Sequence, residues 1–344
     1  MTEFDLYAGK GKTLRQRHGK EMPPFQSIAG DEDPSLYQAD DGLRDAVNVA
    51  LALGQPLLVT GEPGTGKTRL AASVAWELDL PLLEFHTQTA STAADLFYHF
   101  DYLRRFHDAN AEDLQPLESY VTCHALGLAI LLARESADER LLSLLPEDPA
   151  EWAADLRRRR EAGPSRSVVL IDEIDKAPRD LPNDILDEVE RMRFRVRETT
   201  WPAFEAATEF RPVLILTSNS EKNLPDAFLR RCVFYHIPFP GEDTLRTIVR
   251  NRFGEDGFDD GFLDRVIPAF QKIRDELNLK KKPATAEFLN WIGLLRALEV
   301  DLTDPDSAKL KSSLSVLAKN KDDLDRLRDR AAALFPGKAG GLGI

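Results

Sequence analysis

The chain has 344 residues, more than one ordinary domain and enough for two. A hydrophobic fraction of 42% supplies a core and excludes global disorder. The net charge of −13 argues against a general nucleic-acid coat, and it is unevenly placed: residues 241–344 carry equal numbers of acids and bases, so residues 1–240 hold the whole excess. Cys123 and Cys232 cannot build a disulfide framework and point to a reducing compartment. The polar start MTEFDLYAGKGKTLRQRHGK does not resemble a signal peptide, and the longest apolar run, residues 125–133, is too short to span a bilayer. The sequence reads as a soluble, cytoplasmic protein without a membrane segment.

In chain order, residues 1–35 mix charge, Gly and Pro without a period and read as an N-terminal arm. Asp40 or Asp41 can cap a helix through Leu43, Val47, Ala50 and Leu51, which Gly54 and Pro56 end. Residues 56–60 are a short apolar run with strand length and flanks; a helix is expected from Gly66 to about Leu78, then a second strand at 81–85. Residues 94–107 carry aromatics on a helical spacing, 125–133 a buried helix, and 146–164 a charged, Pro-bounded connector. Residues 168–171 predict a third strand. An amphipathic helix follows at 180–192, with Ile185, Leu186, Val189 and Met192 on one face, and 193–197 alternates like half a hairpin. Strands four and five fall at 213–217 and 233–237. Alternating buried strands and helices predict a parallel α/β sheet. Past Gly241 the strands stop. Leu245, Ile248, Val249 and Phe253, then Phe288, Trp291, Ile292 and Leu295, then Leu324, Leu327 and Leu334 mark an all-helical second half. The Gly-rich end, 337–344, reads as a mobile tail.

One segment carries specific chemistry. Gly61, Glu62, Pro63, Gly64, Thr65, Gly66, Lys67 and Thr68 fit the phosphate-loop pattern GxxxxGK[ST], after a strand and before a helix. Glycines let backbone N–H groups turn toward phosphate oxygens, and the helix adds its positive end. Lys67 is placed to reach the β- and γ-phosphates, and the Thr68 hydroxyl to ligate Mg²⁺. The third strand ends in Asp172-Glu173, at the carboxyl edge where such sheets bind ligands. Asp172 is the candidate Mg²⁺ holder, through water, and Glu173 the general base or water-orienter. Asn219, beyond strand four, can orient the attacking water. Arg230 and Arg231 form a pair before strand five.

Together these residues resemble the AAA+ ATPases, and more narrowly their MoxR-like, dynein-related branch. LLVTGEPGTGKT (57–68), VVLIDEIDKAPRDLPNDILDEVE (168–190), LILTSNS (214–220) and LPDAFLRRC (224–232) carry the resemblance, and 37–54 resembles the helix leading into the phosphate loop. The Asp-Glu-Ile-Asp-Lys-Ala element, 172–177, is the branch's more specific part. The resemblance implies a P-loop NTPase sheet of order 5-1-4-3-2 over residues 36–240, with a helical insertion around 88–165, and an α-helical lid over 241–336. It also implies a homo-oligomeric ring, commonly of six, with ATP and Mg²⁺ between subunits. Arg231, or else Arg230, would be the finger reaching a neighbour's γ-phosphate. Tyr37 and Leu36 lie where the family's adenine pocket tends to form. In rings of this branch the insertion and the hairpin at 193–201 face the pore or a partner. Simple packing is the favoured reading of Phe97, Tyr98 and Phe100.

The sequence departs from the family at 282–287, where Ala or Glu stands in place of a phosphate-sensing lid arginine. The basic runs 157–160 and 280–282 read as solvated faces, and the six histidines show no zinc-ligand spacing with the cysteines. The favoured function is an ATPase ring that remodels or matures a protein partner, such as a separate chain with a von Willebrand factor A domain. A nucleotide-gated binding module with little hydrolysis is the alternative. A nucleic-acid-directed NTPase of the same branch is disfavoured by the acidic α/β half.

Overall fold

In the computed structural model, the described residues are 33–135, 139–146, 150–219, 224–304 and 306–335. They fall into two compact units, one spanning Asp33–Pro238 and one running from Phe239 onward. The Gly-rich tail expected at the C-terminus, and all but the last residues of the expected N-terminal arm, lie outside the described residues.

The first unit opens with α1 (Asp41–Leu53). The Asp40 carboxylate accepts from the Leu43 N–H at 2.9 Å, and Gly54 ends the helix in the left-handed region. In order follow β1 (Leu57–Gly61), α2 (Lys67–Glu77), β2 (Leu82–His86), β3 (Tyr98–Phe100), α3 (Tyr102–Asn110), β4 (Val121–Cys123) and α4 (Ala125–Leu132). Then come α5 (Glu139–Leu144), α6 (Glu151–Ala162), β5 (Val168–Asp172), α7 (Leu181–Asp184), α8 (Leu186–Arg191), β6 (Arg193–Phe194) and β7 (Phe204–Glu205). The unit closes with β8 (Val213–Ser218), α9 (Asp226–Leu229) and β9 (Val233–Ile237).

Five of these strands form one parallel sheet in the order β2-β5-β8-β1-β9. Counted along the chain this is the 5-1-4-3-2 order that the resemblance implied. Strand side chains alternate between two cores. Leu57, Val59, Leu170 and Ile215 pack with Leu43 of α1 and Leu70 of α2. Leu58, Val169, Ile171 and Leu216 face the other way, toward α4. Burial on both faces explains why β1, β5 and β8 read as continuous apolar runs. The register sets Thr60 beside Ser218 and His236, and His86 beside Asp172. Those polar strand ends share one edge.

The described residues of 88–165 are mostly helical but not wholly so. The aromatics of 94–107 do not form one helix. Tyr98–Phe100 is a strand paired antiparallel with Val121–Cys123, and α3 begins only after the Asp101 cap. Phe97, Tyr98 and Phe100 are buried in the core, so packing accounts for them. The connector reading of 146–164 is also corrected: Glu151–Ala162 is a helix. Its basic run is only in part a solvated face: Arg158 is exposed, and the other three arginines are engaged. Arg157 donates to the carbonyls of Pro146 and Leu145 at 3.0 Å each, Arg159 bridges to Asp79, and Arg160 is buried. The helix expected at 180–192 is split into α7 and α8 at Ile185. A short hairpin does follow it, with Arg193 opposite Glu205.

Every residue of α4 is buried, and one of them tolerates no side chain. A Cβ on Gly127 would stand 2.0 Å from the Phe97 carbonyl oxygen, which already accepts the His124 N–H at 2.9 Å. Gly127→Ala is expected to destabilise the chain by about 3 kcal/mol, because the helix must lift off the segment that leads into β3. A lowered denaturant midpoint for the first unit, at unchanged slope, would register it.

The second unit contains α10 (Glu242–Phe253), α11 (Asp260–Asp275), α12 (Thr285–Ala297), α13 (Ala308–Ser313) and α14 (Lys321–Leu334). Leu245, Val249, Phe270, Phe288, Trp291 and Leu327 lie in its core. Asp323 is buried and accepts the backbone N–H of Lys280 and of Lys281, so the lysine run is pinned through its backbone. Glu287 caps α12 by accepting the Ala284 N–H at 3.1 Å and pairs with Lys319. Among the described residues no helix is long and apolar enough to cross a membrane.

Candidate nucleotide site

The phosphate loop is shaped by left-handed backbone at Gly61, Gly64 and Gly66. Gly61 also has no room for a side chain, and Gly66 has little. A Cβ on Gly61 would meet the Ile237 carbonyl oxygen at 2.8 Å, and one on Gly66 would meet the Tyr37 ring at 3.1 Å. Tyr37 therefore packs on the loop, and burial pushes its phenol pKa up, so the hydroxyl stays neutral. Thr65 closes the turn by donating its hydroxyl to the Glu62 carbonyl at 2.9 Å.

Lys67 begins α2 and is only 7% exposed. Its ammonium donates to the carbonyls of Gly61 and Glu62 at 2.9 Å each and to Asn219 Oδ1 at 3.0 Å. Burial pulls its pKa below the usual lysine value; Asp172, Asp175, Glu173 and Glu62 oppose that shift. Thr68 points its hydroxyl at Asp172 Oδ1, 3.0 Å away. Thr68 and Asp172 thus set two hard oxygen donors side by side, the donor type that magnesium takes.

Glu173 takes a left-handed conformation at the end of β5. Its N–H donates to Thr217 Oγ1 at 2.8 Å, and the same hydroxyl donates to Asp172 Oδ1 at 2.6 Å. One threonine thus fixes both acids. Asn219 Nδ2 stands 3.5 Å from Glu173 Oε1, and Lys176 pairs with Oε2. The edges of β1, β5 and β8 therefore bring together Lys67, Thr68, Asp172, Glu173 and Asn219. Arg231 has other partners: Glu190 Oε2 at 3.3 Å and the Ala227 carbonyl at 2.9 Å. Arg230 is exposed on the same turn after α9.

Three participants escaped the sequence reading. Thr217 was visible as a polar residue closing an apolar strand. Asp175 was visible as a further acid in the Asp172–Glu173 segment. His86, whose Nδ1 lies 3.4 Å from Asp172 Oδ2, became a neighbour only through the β2–β5 pairing.

Over residues 57–240 the chain matches the family described as "ATPase family associated with various cellular activities (AAA)". It is 25% identical to the gas vesicle ATPase GvpN of Haloferax mediterranei over 337 residues, 96% of this chain and 85% of that protein. Solved structures similar to it include two variants of Thermotoga maritima RuvB, both 14% identical. One covers 84% of this chain and 72% of its own at a TM-score of 0.45, the other 80% and 67% at 0.42. The family match takes in the phosphate loop, the Asp172-Glu173 strand end and the arginine pair: this chain belongs to the AAA family of ATPases.

Proposed function

We propose that this chain is a MoxR-like ATPase. It assembles into a ring, commonly of six, binds ATP–Mg²⁺ between subunits, and uses hydrolysis to remodel or mature a separate protein partner. The observation that carries this reading is the convergence of Lys67, Thr68, Asp172, Glu173 and Asn219 on one sheet edge through direct hydrogen bonds. In it the backbone of Gly61, Glu62, Pro63, Gly64, Thr65 and Gly66 wraps the phosphates and Lys67 neutralises their charge. Thr68, and Asp172 through water, would hold a magnesium ion, which would supply positive charge to the phosphate oxygens. Glu173 draws the proton of the attacking water while Asn219 fixes that water's orientation. Arg231, with Arg230 as the second candidate, completes the site of the next subunit. The partner is a separate protein, for instance one with a von Willebrand factor A domain.

Steady-state ATPase activity measured across protein concentration tests this. Specific activity is expected to rise as the chain assembles, and Glu173→Gln to lower it by about 10²-fold. A flat, near-zero rate that Glu173→Gln leaves unchanged would favour a second reading, a nucleotide-gated binding module. The commitment of Glu287 to the α12 cap, in the stretch 282–287 where Ala or Glu replaces the lid arginine that the resemblance implies, is the observation behind that alternative.

A further inference from the structure

The segment after β5 supplies a third acid for which the proposed chemistry has no use. Asp175 sits on the single 3-10 turn Ile174–Lys176, anchored by buried Ile174. Its Oδ1 accepts the backbone N–H of Asn219 at 3.1 Å. That N–H lies beyond the sheet: β8 pairs with β5 only as far as Leu216 and with β1 only as far as Ser218. No ladder bond therefore fixes Asn219, and the Asp175 carboxylate takes the place of one. What it fixes is sensitive. The Asn219 side chain accepts from Lys67 Nζ at 3.0 Å on one side and meets Glu173 Oε1 at 3.5 Å on the other.

We propose that Asp175 is a positioning residue for ATP hydrolysis, holding the Asn219 backbone so that its amide stays between Lys67 and Glu173. This rests on the reading of Asn219 and Glu173 given above. Asp175 acts through Asn219 and touches neither nucleotide nor water. What it contributes is a hydrogen-bond acceptor at a fixed place. Charge is incidental to that task, which separates it from an acid acting on Lys67 through its field.

Three variants of the full chain test the assignment, with kcat, the KM for ATP and the binding of a fluorescent ATP analogue as readouts. Asp175→Ala removes the acceptor and is expected to lower kcat about tenfold with KM changed less than about twofold. Asp175→Asn keeps an oxygen acceptor without the charge and is expected to restore kcat to within about twofold of the parent. Analogue binding at parental affinity shows that each variant is folded. Asp175→Ser, too short to reach the Asn219 amide, replaces the alanine variant if that one does not fold. Asp175→Asn as slow as Asp175→Ala overturns the proposal in favour of charge, and a raised KM at unchanged kcat overturns it in favour of binding. Glu173→Gln distinguishes the two levels. If it hydrolyses ATP at the parental rate, the reading of the site fails and this inference with it. If it is inactive while Asp175→Ala runs at the parental rate, this inference alone fails.

Discussion

Lys67→Ala is expected to lower kcat/KM for ATP by about 10³-fold and to weaken nucleotide binding enough to be seen directly by titration calorimetry. The ammonium is held before any phosphate arrives, by two loop carbonyls and the Asn219 amide oxygen, and it is almost wholly buried. Such a preset, desolvated cation needs little reorganisation when phosphate oxygens replace the carbonyls. Lys67→Arg is expected to fail as well. A planar guanidinium cannot satisfy three converging acceptors in a cage shaped for a point charge. The pH dependence of stability provides a second readout. Burial depresses the Lys67 pKa below 10.5, so between the depressed value and 10.5 the unfolded chain binds more protons than the folded one. Stability from this residue therefore rises with pH through that window, and Lys67→Ala removes the rise. Parental hydrolysis in the alanine variant would remove the phosphate-loop assignment.

How much of this was legible beforehand depended on burial and distance along the chain. Strands β1, β5 and β8 are enclosed on both faces, so their apolar runs stood out, and the site residues Lys67, Thr68, Asp172 and Glu173 followed from local patterns next to them. Tyr98–Phe100 was misread because three residues are too few to show a period of two. Its partner strand also lies more than twenty residues away. The helix at Glu151–Ala162 was hidden by its own charge. Four consecutive arginines look solvated until Arg157 and Arg160 turn inward onto carbonyls and core. His86 and Asp175 could not be weighed as participants from sequence alone. Their contacts depend on the register at the strand ends and on the turn after β5, which the strand order alone does not give. Legibility thus ended where contacts between elements distant in sequence began.

Arg231→Ala is expected to leave ATP binding intact and to reduce kcat by about 10³-fold, whereas Arg230→Ala is expected to cost only a few-fold. Within one chain Arg231 is far from idle: it holds Glu190 and the Ala227 carbonyl. Both side chains of that ion pair are roughly half exposed or more, at 48% and 64%, so the pair is weak, roughly 0.2–1 kcal/mol, and easily exchanged for a phosphate. A finger donated to a neighbour makes a prediction that a finger used at home does not. Glu173→Gln and Arg231→Ala are each inactive alone, because each spoils every junction. Mixed in equal amounts and allowed to exchange subunits, they place an intact Glu173 against an intact neighbouring Arg231 at about a quarter of the junctions. Activity should therefore return to roughly a quarter of the parental value, provided that junctions fire independently. If the mixture stays dead while the parental chain mixed with Arg231→Ala retains partial activity, Arg231 serves its own subunit and the neighbour contributes nothing to the chemistry. Recovery in the mixture has no explanation within a single chain, because neither variant contains both groups.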